Sequence, residues 1–236
     1  MRRRLIGLLN LAAIVIAGAT PALAADRVSF RAADGTTLSA EFWPASGSNV
    51  PAIVLVHMLT RSSHDWDITA ERLHQAGFLV LAPDLRGHGD SSGSFNAAVD
   101  LSPLLQDVVA AIGWVKRRPE VAAGRIGLAG ASVGASLAIQ AAAGDPSVRS
   151  VVLLSPGIDY RGLKSDTAMK KYGDRPVLLV ASKNDPYALR SAKALSEDAP
   201  RAQLETLDEA GHGTMMLTKS DGLVGRLVDW FKATLL

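Results

Sequence analysis

One stretch constrains the fold more than any other. Ile126-Gly127-Leu128-Ala129 runs straight into Gly130-Ala131-Ser132-Val133-Gly134 and on into Ala135-Ser136-Leu137-Ala138, with no residues given over to a loop. An apolar strand that becomes a helix at a single corner needs small neighbours, because the corner residue takes a strained backbone conformation. Here the corner residue is Ser132. Its hydroxyl would stand clear of the sheet at a helix amino end, where the backbone dipole favours negative charge and the next N–H, that of Val133, is aimed at the same point. A tight turn with an N-capping serine would use the same letters. The strand before and the helix after make Ser132 a candidate nucleophile instead.

The rest of the chain supplies a setting for such a corner. Arg27–Ala32 and Thr37–Phe42 read as a hairpin about Asp34-Gly35. Ala52–His57 is a continuous apolar run, as expected of a strand buried on both faces, and Phe78–Ala82, Arg125–Leu128, Val148–Leu154, Pro176–Ala181 and Gln203–Leu207 follow as further strands. Between them lie helical patterns at Ser63–Gln75, Leu101–Arg118, Val133–Ala143 and Tyr187–Glu197, with Leu223–Thr234 closing the chain. Strands alternating with helices predict an α/β fold: about eight strands, the first pair antiparallel and the rest parallel, with helices on both faces. In such sheets ligands bind beyond the carboxyl ends of the strands. At 236 residues, 48% of them hydrophobic, one domain with one sizeable core suffices.

The first 24 residues are set apart from that domain. Arg2, Arg3 and Arg4 precede an apolar stretch from Leu5 to about Ala17, and Ala22-Leu23-Ala24 meets the small-residue rule for signal-peptide cleavage. We expect cleavage after Ala24, a mature domain of residues 25–236, and a periplasmic or secreted protein. The stretch is shorter than the roughly 18–20 residues of a spanning helix, so no membrane partner is expected after its removal. Its loss takes away three arginines and no acid, so the formal charge of +2 becomes −1. With no basic stripe left, a nucleic-acid partner is not expected. The chain has no cysteine, which excludes a disulfide framework, a thiolate nucleophile and a Cys-ligated zinc.

A serine hydroxyl needs a base to take its proton. Of the five histidines, His212 stands in Glu209-Ala210-Gly211-His212-Gly213, just past the last predicted strand, between glycines that leave an imidazole room to reach across. The base in turn needs a carboxylate to hold its tautomer. Asp185 follows an apolar strand and precedes a helix, and the order Ser132, Asp185, His212 is the order of such triads on strand-to-helix elbows. Asp159, after the preceding strand, competes with it for this role.

With Gly130-Ala131-Ser132-Val133-Gly134, His57-Met58-Leu59 after a buried strand and Asp84-Leu85-Arg86-Gly87-His88-Gly89-Asp90-Ser91, nearly all of the mature chain resembles the α/β-hydrolase superfamily. It looks most like small esterases and dienelactone-hydrolase-like proteins, here with a serine nucleophile. Only about twenty residues separate Leu154 from the next strand, so no sizeable lid is expected. The resemblance implies an oxyanion hole formed by the Leu59 and Val133 N–H groups, with Met58 standing where the family usually has glycine. It also implies hydrolysis of a small-molecule ester or thioester through an acyl-enzyme on Ser132, with no cofactor. A peptidase or amidase is the alternative within the enzyme class, and a non-catalytic binding protein is the alternative outside it.

The remaining histidines read as structural. His57 ends a core strand, and in the resembling family it braces loops; His88 lies in a glycine-rich turn that members of that family share for backbone reasons. His64, with Asp65 and Asp67 beside it, has no defensible ligand spacing, and no metal is expected. Met215, Met216 and Trp66 read as packing residues, with contact to an acyl chain as the other reading.

Overall fold

The computed structural model describes residues 25–96, 100–197 and 199–236. The expected export segment, residues 1–24 with its cleavage point, lies outside the described residues. Strands β1 (Asp26–Arg31) and β2 (Thr37–Trp43) form the antiparallel hairpin about Asp34-Gly35, where Gly35 takes φ +87°. β3 (Val50–Val56), β4 (Leu79–Pro83), β5 (Val121–Ala131) and β6 (Val148–Leu154) follow, then the short ribbon β7 (Asp159–Tyr160) and β8 (Leu163–Lys164), then β9 (Val177–Ser182) and β10 (Ala202–Leu207). Among the described residues one eight-stranded sheet runs in the order β1-β2-β4-β3-β5-β6-β9-β10. β2 runs against both its neighbours, and every pairing from β4 to β10 is parallel. The expected fold class is borne out.

Helices α1 (Asp67–Gln75), α2 (Ser102–Lys116), α3 (Val133–Gly144), α4 (Ser165–Tyr172), α5 (Pro186–Glu197), α6 (Met215–Lys219) and α7 (Leu223–Leu235) cover the two faces. Strand β3 shows why both faces must be covered. Ala52, Val54 and Val56 join one buried cluster with residues of α2, α3, α4 and α5. Ile53 and Leu55, pointing the other way at period two, join a second cluster with residues of α1, α6 and α7. Each such Val, Leu or Ile, fully buried, is worth roughly 1.5–3 kcal/mol of transfer free energy, so an apolar run without alternation is what a two-sided sheet selects.

The structure departs from expectation in four places. Strand β5 is longer than Arg125–Leu128 because Val121 already pairs with Val50; a bulge at Ala122–Arg125, with Gly124 at φ +72°, separates that pairing from the main register. The helix expected from Ser63 begins as a 3-10 turn, Ser63–Trp66, before α1 proper. The span between β6 and β9 holds the β7–β8 ribbon and α4 where only a loop was expected, and it adds no lid domain. Finally, the loop after His212 coils into α6.

Candidate active site

Ser132 sits at the corner between β5 and α3 with φ 55° and ψ −120°, a conformation rare for any residue but glycine. Two glycines make the corner possible. A Cβ on Gly134 would stand 2.4 Å from the Val56 carbonyl oxygen, and one on Gly130 would stand 2.2 Å from the Gly134 oxygen. Both obstacles are backbone and cannot move aside, so the start of α3 lies against the end of β3 only because these positions lack side chains. The strain at Ser132, of order 1–3 kcal/mol, is held in place by that packing.

His212 reaches the serine from the other side of the cleft. Its Nε2 lies 2.8 Å from Ser132 Oγ, and its Nδ1 lies 2.5 Å from Asp185 Oδ2. Gly211 and Gly213 flank it with φ +82° and +60°. The local sequence explains why Asp185 is available. It precedes Pro186, the first residue of α5, and its Oδ1 accepts the Ala188 N–H at 3.3 Å, as a helix cap does. One carboxylate oxygen holds the helix while the other faces His212. The competing acid, Asp159, is exposed, and its Oδ1 accepts the Gly162 N–H at 3.1 Å to close the β7–β8 turn. The structure thus brings Ser132, His212 and Asp185 together and leaves Asp159 with the ribbon.

Val133 opens α3, where first-turn N–H groups have no partner within the helix. Leu59 lies in the loop after β3, and that loop is pinned at the peptide preceding its N–H. The Met58 carbonyl accepts the His57 Nδ1–H at 2.8 Å and the Arg61 N–H at 3.3 Å. Since a peptide is planar and trans, fixing that carbonyl fixes the opposite direction of the Leu59 N–H. His57 is fully buried, and its Nε2 accepts the Leu85 N–H at 2.9 Å, so both ring nitrogens are occupied and the tautomer is set. Burial pushes its pKa down to about 4, with the nearby His88 ring adding to the effect against the opposing Met58 hydrogen bond and the Asp84 and Asp65 charges. His88 in turn accepts the Thr60 N–H at 3.2 Å through Nε2. The Met58 side chain, at the unusual position, lies over the histidine loop: a Cβ on Gly213 would come within 2.6 Å of its sulfur.

The turn after β4 is fastened by buried charge. Asp84 accepts the Ser63 N–H at 2.7 Å and the Asp90 N–H at 3.1 Å, and no Cβ fits at Gly89, where it would stand 2.2 Å from the Asp84 carboxylate. Arg86 is gripped by Asp107, with Nη2 to Oδ1 at 2.7 Å, and by Asp34 at 2.6 Å. These carboxylates hold the guanidinium pKa above its ordinary value despite desolvation, and Arg86 holds the Asp34 carboxyl below the usual range.

Sequence reasoning missed the side chains that hold the histidine loop. Ser155 Oγ accepts the Gly213 N–H at 2.9 Å, Ser182 Oγ accepts the Ala210 N–H at 2.9 Å, and Asn184 Oδ1 accepts the Gly211 N–H at 3.0 Å. All three stand at or just past the carboxyl ends of β6 and β9, and a polar residue ending an apolar strand is the signal that could have found them. Asp65 accepts the Thr214 hydroxyl at 2.6 Å and is itself held by Arg61. His64 faces Asp67 at 3.3 Å, and among the described residues no group of three or more His, Asp or Glu side chains is placed to hold a metal. A concavity of about 690 Å³ between β10 and α7 opens toward the amino ends of β9 and β10, away from the Ser132 end of the sheet.

Residues 47–172 match the family model Hydrolase_4, described as serine aminopeptidase, S33, over more than half of the chain. The chain belongs to this family. The match takes in the Ser132 corner and stops short of Asp185 and His212. Among curated proteins, monoglyceride lipase of Rattus norvegicus is 32% identical over 126 residues, which are 52% of this chain and 41% of that protein. The chain thus spans less than half the length of that relative. Among solved structures, the Pyrococcus furiosus esterase Pf2001 superposes with a TM-score of 0.78 at 21% identity, over 94% of this chain and 98% of that one. Dienelactone hydrolase from Anabaena variabilis gives 0.73 at 21% identity, over 90% and 98%. The superpositions show the α/β-hydrolase fold, and the resemblance read from the motifs is borne out.

Proposed function

We propose that this protein is an exported serine esterase that hydrolyses small carboxylic esters or thioesters. The observation that carries the reading is the His212 ring, which spans the 2.8 Å to Ser132 Oγ and the 2.5 Å to Asp185 at the carboxyl end of the sheet. His212 takes the hydroxyl proton as Ser132 Oγ bonds to the carbonyl carbon, and Asp185 orients the ring and stabilises its cation. The Leu59 and Val133 N–H groups receive the oxyanion. The bond to the leaving oxygen then breaks, His212 returns the proton to it, and an alcohol departs. Water attacks the acyl-enzyme by the same route, releasing the acid and restoring Ser132. No cofactor enters these steps. Relatives named as a monoglyceride lipase and as a thiohydrolase support ester or thioester chemistry.

The family description, a serine aminopeptidase, favours amide hydrolysis as the second reading, since one triad serves both reactions. An organophosphonate should label the protein and spare Ser132→Ala, which separates an enzyme from a binding protein. p-Nitrophenyl esters graded in acyl length, run beside amides of matched acids, should show turnover of the shorter esters. Turnover of amides alone would replace the esterase reading with the peptidase one. Export rests on the Arg2–Arg4 segment and on Ala22-Leu23-Ala24. Protein recovered from an expressing bacterium should begin at Ala25, and a retained Met1 in a membrane fraction would mean an anchor.

A further inference from the structure

A groove of about 370 Å³ lies between the stretch of chain that follows Leu59 and the stretch that follows His212, so its walls continue the two loops that carry the reacting groups. Arg61 comes from the loop that presents Leu59 and Asp65 from the 3-10 turn after it, and Thr214 and Met215 follow His212 by two and three residues. The two walls are tied together: Thr214 Oγ1 donates to Asp65 Oδ2 at 2.6 Å, while Arg61 grips the same carboxylate at 2.6 Å. Thr214 is only 5% exposed, so the crosslink is shielded and the groove is preformed. Against this, Ile68 and Met215 are 64% and 44% exposed, two of the five large apolar side chains that the described residues leave to solvent, and both line this one groove. Arg61, the only lysine or arginine of its lining, is taken up by Asp65, so no free side-chain cation in the groove calls for an anionic occupant.

We infer that this groove is the leaving-group subsite, and that it takes an uncharged alcohol with an apolar body, aryl or branched alkyl. This rests on the esterase reading. His212 Nε2 must come within hydrogen-bond reach of the leaving oxygen to return its proton, while the carbonyl oxygen is turned toward Leu59 and Val133. The alcohol portion therefore extends past His212, toward Thr214 and Met215, and meets exposed apolar surface there. Covering that surface favours a bulky alcohol over a small one through binding.

Ethyl acetate and 2-phenylethyl acetate test this, since they share the acyl group and release alcohols of similar basicity. The full chain should show a kcat/KM ratio in favour of the phenylethyl ester on the order of tenfold, expressed mainly in KM. Ile68→Asp and Met215→Ser should each reduce that ratio toward one, whereas Val109→Asp, which alters an exposed apolar residue away from the groove, should keep it. A ratio near one in the unaltered protein, or a ratio that survives both groove variants, overturns the inference. Phosphonate labelling of Ser132 keeps the two failures apart. Labelling and ester turnover without leaving-group preference sink the subsite alone, whereas no labelling and no turnover sink the esterase reading and the subsite with it.

Discussion

The Ser155 hydroxyl accepts the backbone N–H of Gly213 at 2.9 Å, so the end of β6 grips the residue that follows His212. Ser155 is buried and has φ 49°, a left-handed conformation that aims its side chain at the loop. Ser155→Ala leaves a buried N–H unsatisfied, at a cost of about 1–3 kcal/mol. It also frees the backbone that sets the approach of the imidazole. We expect kcat to fall on the order of 10- to 100-fold with KM little changed. Urea unfolding and steady-state kinetics check this together. A loss of stability with unaltered kcat would mean that Ser155 supports the fold without positioning His212.

The two acids should separate cleanly. Asp185→Asn keeps an acceptor for the Ala188 N–H, so α5 retains its cap, but the group facing His212 Nδ1 loses its charge. Turnover should drop on the order of 10⁴-fold in a protein that melts near the parent temperature. Asp159→Asn preserves an oxygen for the Gly162 N–H and touches nothing in the triad, and should be nearly silent. The reverse pattern would move the acid to the ribbon after β6.

Local chemistry decided what the sequence could reveal. The runs Ala52–His57 and Val148–Leu154 are long, apolar and bounded, and Gly130 and Gly134 lie within four residues of the strain they permit, so the sheet and the serine corner were readable. The β7–β8 ribbon was not, because its turn is Arg161-Gly162 and lacks the Asn-Gly or Asp-Gly signal, although both residues adopt positive φ. Helix α6 has five residues, too few for a periodic pattern, and is anchored through buried Met216. The loop-holding contacts were hidden for another reason. Asp65 and Thr214 stand 149 positions apart, and only the folded chain brings them together.

Acid should loosen the site through His57. Its pKa is about 4 when folded, against 6.5 for a free histidine, so between those values the unfolded chain binds a proton that the folded chain refuses. Stability is therefore full above about pH 6.5 and is lost as the pH falls toward 4. For a shift of this size the loss is roughly 3 kcal/mol. Protonation would put a hydrogen on Nε2, the atom that accepts the Leu85 N–H. Urea midpoints measured from pH 7.5 to 4 should decline across this window, and His57→Gln should flatten the decline. An equal slope in the variant would assign the acid sensitivity to other groups.

The triad should fail as a unit. In the proposed mechanism Ser132, His212 and Asp185, joined by two contiguous hydrogen bonds, act on one transition state, so removing any member strands the others. Ser132→Ala and His212→Ala should each abolish nearly all ester hydrolysis, and the double variant should be little worse than either, because the second substitution removes a group already idle. Residual turnover above the uncatalysed rate should persist in all three, supplied by binding and by the Leu59 and Val133 amides. The variants should stay folded, since these residues sit at strand ends and the core lies elsewhere. The measurement is kcat/KM for one short ester across these four proteins and His88→Ala. If His212→Ala kept more than about a tenth of the activity while His88→Ala lost it, the base would be His88, in the loop after β4. The Thr60 N–H that His88 now accepts would then have to be released before it could act.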